Sequence, residues 1–435
     1  MTGRVLVIGA GFTGLAAAFD LARQGVPVTV LEADAHVGGL AGAFDTKGER
    51  LDRFYHHWFT SDHEIMRLVD ELGLSDDITL RATATGVWYN NSLFRLSTPL
   101  DLLRFSALPF LDRLRLGLMI PRARAVKDWR ALEGVTAADW LRRLGGERVW
   151  KVVWEPLLKG KFGPYAETVS AVWFWNKLKL RGGSRGKAGE ERLAYFKGSF
   201  ARLAEETARA IRAMGGEVRT RSAVTALRRQ GAGWVAEGHW GVLEGSAVIA
   251  TPAPTLVADM LEAGGQADLT GLRRIPYLAN LCLVLELDRP LGSTYWTNVN
   301  DPGFPFVGVI EHTNFEDAAS YGGRHIVYLS KYLPETDTLY GMTDRQVMDF
   351  SIPHLQRMFP AFRPDWVQEF HVWRARWAQP VVERDYSALI PAKQPLPGLH
   401  LASMAQIYPE DRGTNHAVRE GRKVAARVLH ALRRG

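Results

Sequence analysis

Arg4-Val5-Leu6-Val7-Ile8-Gly9-Ala10-Gly11-Phe12-Thr13-Gly14 is the stretch whose reading decides the fold. Val5 to Ile8 is a short apolar run bounded by glycine, the pattern of a buried parallel strand. A helical pattern follows, with Leu15, Ala18, Phe19 and Ala22 on one face and Gly25 as a C-terminal cap. Val28 to Leu31 reads as a second strand, entered through Pro27 and ended by Glu32. In this order Gly9 permits a tight turn, Gly11 lets backbone approach a pyrophosphate, and Gly14 lets helix and strand pack closely. The helix N-terminus offers free N–H groups to phosphates, and Glu32 is placed to bind ribose hydroxyls.

Working outward, the composition is that of a folded protein. The chain has 435 residues, 46% hydrophobic and 23% charged, which excludes a disordered or low-complexity polypeptide. Length favours two or three domains. Cys282 is the single cysteine, so no internal disulfide and no cysteine-rich metal site is expected. No apolar run reaches the ~18 residues of a membrane-spanning helix, and no leader pattern precedes the first strand. A cytoplasmic location is the expectation. The net charge of +7 is concentrated. Residues 95–130 hold eight Lys/Arg against three acids, and 175–200 and 411–435 each hold seven against two. Such local basicity suits an anionic ligand or an acidic membrane surface. Nucleic acid is not expected, because no binding motif for it accompanies the charge.

After Glu32 come Ala33-Asp34-Ala35-His36-Val37-Gly38-Gly39-Leu40. An acid followed by a Gly-Gly pair resembles the FAD-binding fold of flavin amine oxidases, protoporphyrinogen oxidases, phytoene desaturases and UDP-galactopyranose mutases. Members often carry Arg where Leu40 stands. Lys197-Gly198-Ser199-Phe200 leads into a helix with Leu203, Ala210, Ile211 and Met214 on its apolar face. A strand over 217–220 and another beginning at Ala223-Val224 come next. By the resemblance, Val224 lies against the adenine. Ala247 to Ala250, ending in Thr251-Pro252, is similar to the family's returning strand, which passes the cofactor. Leu399 to Ser403 reads as a last strand, Tyr408 to Asn415 as a loop, and Ala417 to Leu432 as a basic helix. The resemblance puts Thr414, Asn415, Ala417 and Val418 near the isoalloxazine, with Asp411 among the cofactor contacts. The family's Gly-acid pair after the last strand is Ser403-Met404 here.

The resemblance implies an α/β fold: a Rossmann-like FAD-binding domain interleaved with an α+β substrate domain. The first would be built from 1–85, 195–265 and 385–435, the second from 86–194 and 266–384. Gly231-Ala232-Gly233 reads as a hairpin turn rather than a second phosphate loop.

Phe54-Tyr55-His56-His57-Trp58-Phe59-Thr60 reads as a strand with Phe54, His56 and Trp58 on one face and Tyr55, His57 and Phe59 on the other. Ser61-Asp62-His63-Glu64 reads as a capping box opening a helix. The segment is similar to the mutases' His-x-x-His-Thr, with His56 at the first histidine and Phe59 in place of the second. His56 and His57 are the candidate catalytic residues, because a histidine over a flavin can move a proton or polarise a hydroxyl. Substrate candidates are Lys159 and Lys161 for a phosphate or carboxylate, Trp173 and Trp175 for an apolar or sugar pocket, and Arg376 and Tyr386. Residues 99–127 mix leucines with arginines in the manner of a membrane-interface segment, with Pro109 and Pro121 expected to break the run into two short helices. The reading is an FAD-dependent oxidoreductase for an apolar or amphipathic small-molecule or lipid substrate. The alternative is a mutase-like flavoenzyme for a nucleotide sugar.

Overall fold

In the computed structural model, which describes residues 3–96, 98–180 and 191–433, the chain builds two main sheets. The first is parallel and five-stranded, in the order Glu217–Arg219, Val28–Leu31 (β2), Val5–Ile8 (β1), Ala247–Ala250, Leu399–Leu401. β1 is buried throughout because both sheet faces are covered. Val5 and Val7 belong to one core with the helix Phe12–Arg23 (α1), the helix Phe200–Ala213 and the C-terminal helix Thr414–Leu432. Leu6 and Ile8 face the helix Pro254–Ala263 and the antiparallel meander over residues 226–245. A strand of period two with two apolar neighbours must be apolar at every position. This is a Rossmann-like α/β unit whose strands are drawn from widely separated parts of the chain.

The second sheet has seven strands, mostly antiparallel: Val367–Pro380, Tyr277–Leu287, His325–Leu333, Gly308–Glu311, Trp296–Val299, Thr85–Tyr89 and Ser92–Arg95. A helical body over 99–180 has its own core, containing Trp140, Trp150, Trp154, Trp173 and Trp175.

Several local expectations are corrected. Of residues 54–60 only Trp58 and Phe59 form a strand, because only these oppose Ala194 and Leu193. The alternation of faces survives without the ladder: His56 and Trp58 both meet Phe200, and Tyr55 and His57 both meet Trp296. No capping box forms at Ser61. Asp62 turns back to accept from the Phe59 amide, and the helix His63–Glu71 (α2) is capped from the far end of the chain by Asn415. Ala223-Val224 precedes its strand, which begins at Ala226, because Arg221 and Ser222 are first drawn to the backbone of Asp34 and Glu32. Pro109 precedes a helix as expected, but Pro121 sits inside the helix Phe110–Ala125, near its end, where only one backbone bond is forfeited. The last helix begins at Thr414, so Thr414 and Asn415 belong to its first turn. The hairpin at Gly231-Ala232 forms, with Gly231 at φ 59°.

Candidate active site

The first loop closes at the C-terminal end of β1. Gly9 adopts φ 94°, and Thr251 lies over it, its hydroxyl donating to the Ile8 carbonyl at 2.8 Å. A Cβ on Gly14 would fall 2.0 Å from the Gly9 carbonyl oxygen, so helix and loop meet with no room for a side chain. Gly38 and Gly39 both have positive φ and lie against the same loop: the Gly38 amide donates to the Ala10 carbonyl at 2.8 Å. The Glu32 carboxylate accepts from the amides of Ala10 (2.6 Å) and Asp34 (2.9 Å), and the Ser222 amide reaches the Glu32 carbonyl, bringing Val224 beside this acid. Leu40 lies in the short turn Gly39–Ala41. Close by, Arg53 is paired with Asp34 and stacked over Trp373, with its Nε buried and unpartnered.

Helix caps separate the N-termini around this region into two kinds. α2 is capped by Asn415, and the helix Phe200–Ala213 by Asp52, whose carboxylate accepts from the Phe200 amide at 3.0 Å and the Tyr195 hydroxyl at 2.8 Å. α1 and the C-terminal helix have glycine N-caps, Gly11 and Gly413, no capping side chain and no acid in the first turn. A Cβ built on either glycine meets nothing within 4 Å. Two bare helix N-termini opening on empty space suit an anionic group and an electron-rich ring. They are held together because the C-terminal helix packs on α1 through Gly421. Trp58 donates to the Thr414 hydroxyl at 2.8 Å, and Val418 is buried below. The residues therefore fit a dinucleotide with a ring system at its far end.

Beside Thr414 lies a cluster of charge. Asp411 is salt-bridged to Lys177 at 2.5 Å and to Lys161 at 3.7 Å. Arg412 donates to the Tyr332 hydroxyl at 2.7 Å and to Gln379 at 3.0 Å. Lys161 also sits over the Trp173 ring, 4.7 Å from its centroid. Three cations thus face one carboxylate. Burial alone would raise the Asp411 carboxyl, but Lys177, Lys161 and Arg412 hold it well below the usual range. Burial, aided by Lys177 and Arg412 against the pull of Asp411, brings the Lys161 ammonium down to about 7.

The two histidines border the same space. His56 is held down at about 3 by burial, by Arg412 and by His57, and its Nδ1 has no hydrogen-bond partner among the described residues. His57 is held at about 4 by burial and by Lys177; its Nδ1 lies 3.0 Å from the Tyr295 hydroxyl. His56, His57, Lys161 and Arg412 lie deep in the molecule yet keep accessible surface, the mark of side chains bordering an internal chamber. Tyr332 joins that chamber to an open cleft of about 710 Å³ that Lys159 also lines. A smaller cleft of about 260 Å³ lies beside Arg4, at the opposite end of β1 from the glycine loop.

The structure thus brings together Gly9, Gly11, Gly14, Glu32, Gly38, Gly39, Thr251 and Val224 at the first loop. It gathers His56, His57, Lys161, Trp173, Asp411 and Thr414 at the second. Other candidates fall elsewhere. Lys159, two residues from Lys161 on one helix, points outward and pairs with Glu155. Trp175 is buried, donating to the Ala123 carbonyl at 2.7 Å. Arg376 is exposed and paired with Glu335. Tyr386 is fully buried, its hydroxyl bonded to the Ala405 carbonyl. Lys177, Arg412, Tyr332 and Arg53 escaped the sequence reading. Lys177 and Arg412 lay within the basic segments but carried no motif of their own. Arg181, Arg185 and Lys187 of the middle segment lie outside the described residues.

The flavin containing amine oxidoreductase family model matches residues 12–429, and the chain belongs to that family. It is 29% identical over 177 residues to the protein named Probable zeta-carotene desaturase of Synechococcus elongatus, a match covering 35% of this chain and 37% of the desaturase. Among solved structures, cyclohexylamine oxidase from Brevibacterium oxydans superposes with a TM-score of 0.77 at 18% identity, covering 99% of both chains. Reduced UDP-galactopyranose mutase superposes at 0.76 and 15% identity, covering 99% of this chain and 94% of the other. The chain spans about a third of the length of the carotene desaturases it matches.

Proposed function

We propose that this chain is an FAD-dependent oxidoreductase that takes a hydride from an amphipathic substrate, small-molecule or lipid, bearing a carboxylate or phosphate. The observation that carries the reading is the chamber where the bare N-terminus of the C-terminal helix, two neutral histidines and three cations meet a single carboxylate. FAD, when bound, supplies the two-electron acceptor. The α1 N-terminus and Gly11 would hold its pyrophosphate, Glu32 its ribose, and the first turn of the C-terminal helix its ring system. Lys161, Lys177 and Arg412 would hold the anionic end of the substrate, since an uncompensated cationic excess away from water favours an anion. His56 and His57 stay neutral throughout the physiological range and act as hydrogen-bonding groups rather than as proton acceptors. Beside His57, Trp296 packs edge-on against both Tyr55 and the imidazole, and Tyr295 packs edge-on against the imidazole.

Acid release of the cofactor and anaerobic bleaching by matched donors with and without an acidic group test the reading. FAD that acidic donors reduce is expected; no reduction across the panel refutes it. Lys161→Met should raise KM for acidic donors on the order of tenfold and leave neutral donors unaffected, given ~1.5–3 kcal/mol for a charged hydrogen bond. Affinity for acidic donors should fall as pH rises above about 7, where Lys161 sheds its proton; an anionic ligand moves that loss upward.

A second reading draws on the same cations, which also suit the diphosphate of a nucleotide sugar, with His56 at the mutase-like position. Unchanged nucleotide sugars after incubation with dithionite-reduced protein would eliminate it.

A further inference from the structure

Six of the eleven most exposed large hydrophobic side chains among the described residues lie within nineteen positions: Leu100, Leu103, Phe110, Leu111, Leu114 and Leu118. They belong to the helices Pro99–Arg104 and Phe110–Ala125 or stand at their ends. The second helix already has an inward face: Asp112, Leu116, Met119 and Ala123 are buried. Leu111, Leu114 and Leu118, spaced three and four apart, form a separate stripe on the opposite side, with Leu111 67% exposed. A core-facing helix needs only one apolar stripe.

Cations flank this outer stripe. At 100° per residue, Arg115 and Arg122 fall on one side of it and Arg113 and Arg124 on the other. Arg113 is occupied, donating to the Leu108 and Leu103 carbonyls and so pinning the two helices together. Arg104, Arg124 and Lys127 are exposed and form no ion pair or hydrogen bond among the described residues.

We infer that this face seats on an anionic lipid bilayer, with the leucines entering the headgroup boundary and the arginines reaching the phosphates. The charge decides between occupants. A second copy of the chain would oppose two surfaces that each carry +5 over residues 95–130. Lipid phosphates complement that charge, and long arginine stems let the guanidinium stay at the headgroup level while the backbone rides lower. No helix among the described residues is long and apolar enough to cross a membrane, so the contact is peripheral.

Sedimentation of the flavin-loaded protein with vesicles tests this, using phosphatidylcholine alone and phosphatidylcholine mixed with phosphatidylglycerol. Two variants are compared: Leu111→Ser with Leu114→Ser and Leu118→Ser, and Arg104→Gln with Arg124→Gln and Lys127→Gln. Each positions no active-site residue, and unchanged flavin absorbance reports an intact fold. The wild type should bind the anionic vesicles and release in high salt. Roughly fivefold per cation, the charge variant should bind on the order of 100-fold more weakly, and the leucine variant should lose binding. The inference is overturned if wild type ignores anionic vesicles, if the leucine variant binds like wild type, or if the leucines instead govern a protein dimer that binds no vesicle.

Discussion

Substituting Gly421 by alanine sets two opposed effects against each other. Gly421 lies within the helix Thr414–Leu432, where alanine gains about 1 kcal/mol over glycine in helix propensity. The structure puts α1 in the way. A Cβ on Gly421 would stand 2.3 Å from the Thr13 carbonyl oxygen, 2.9 Å from the Ala16 Cβ and 3.1 Å from the Ala17 amide nitrogen. Two of these are backbone atoms, which cannot turn aside, so the helices must part by about an ångström. Overpacking typically costs 1–3 kcal/mol, and the rigid partner puts this case at the upper end. The net loss is about 2 kcal/mol. For a chain of this size the unfolding entropy is about 0.9 kcal/mol per kelvin, so Tm should fall by about 2 °C. The same movement separates the two bare N-termini, so flavin retention on dilution should fall with it. Thermal unfolding followed by circular dichroism and by flavin fluorescence measures both. Gly117→Ala is the control: its Cβ would approach only a Leu102 methyl at 3.2 Å, so propensity should dominate and stability hold or rise. A Gly421→Ala protein as stable as wild type, with full flavin retention, would refute the reasoning.

Other perturbations test the network around the site. Asn415→Ala removes the acceptor for the Glu64 and Ile65 amides and should cost about 1 kcal/mol in chemical denaturation. Asn415→Asp keeps an acceptor and should lose less than half of that. Asp52 is raised by burial to about 7, so its native form binds a proton that the unfolded chain releases near pH 4. Its contribution is complete below pH 4 and fades as pH rises to about 7, on the order of 4 kcal/mol for three pH units. The wild-type minus Asp52→Asn stability difference should therefore decline across that window. A flat difference curve would show that Asp52 titrates normally. His56 and His57, both held down, act in the opposite sense, losing stability as pH falls from about 6.5 towards 4. His57→Gln should soften the acid limb of the unfolding curve.

Local sequence determined the glycine-loop half of this protein. The run Val5 to Ile8 had to be a strand buried on both faces, and Gly9, Gly11 and Gly14 each answer a constraint set within a few residues: a positive φ, an open approach, a close packing. Glu32 and the pair Gly38-Gly39 follow from the same short-range logic, because β2 ends next to the loop that β1 begins. Tertiary structure alone decided the rest. Asn415 caps a helix about 350 residues away, displacing the capping box that Ser61 to Glu64 spell out locally. Lys161 and Lys159 share a helix and a charge, yet only the fold turns Lys161 inward to meet Lys177, Asp411 and Arg412. Tyr386 and Trp175 are aromatic in sequence and packing in fact, since their polar atoms find backbone carbonyls in the core. Turns and strand–loop–helix units are governed by neighbours in sequence. A chamber assembled from residues 56, 161, 177, 332 and 412 depends on how separate layers stack, and only the folded chain brings its charges together.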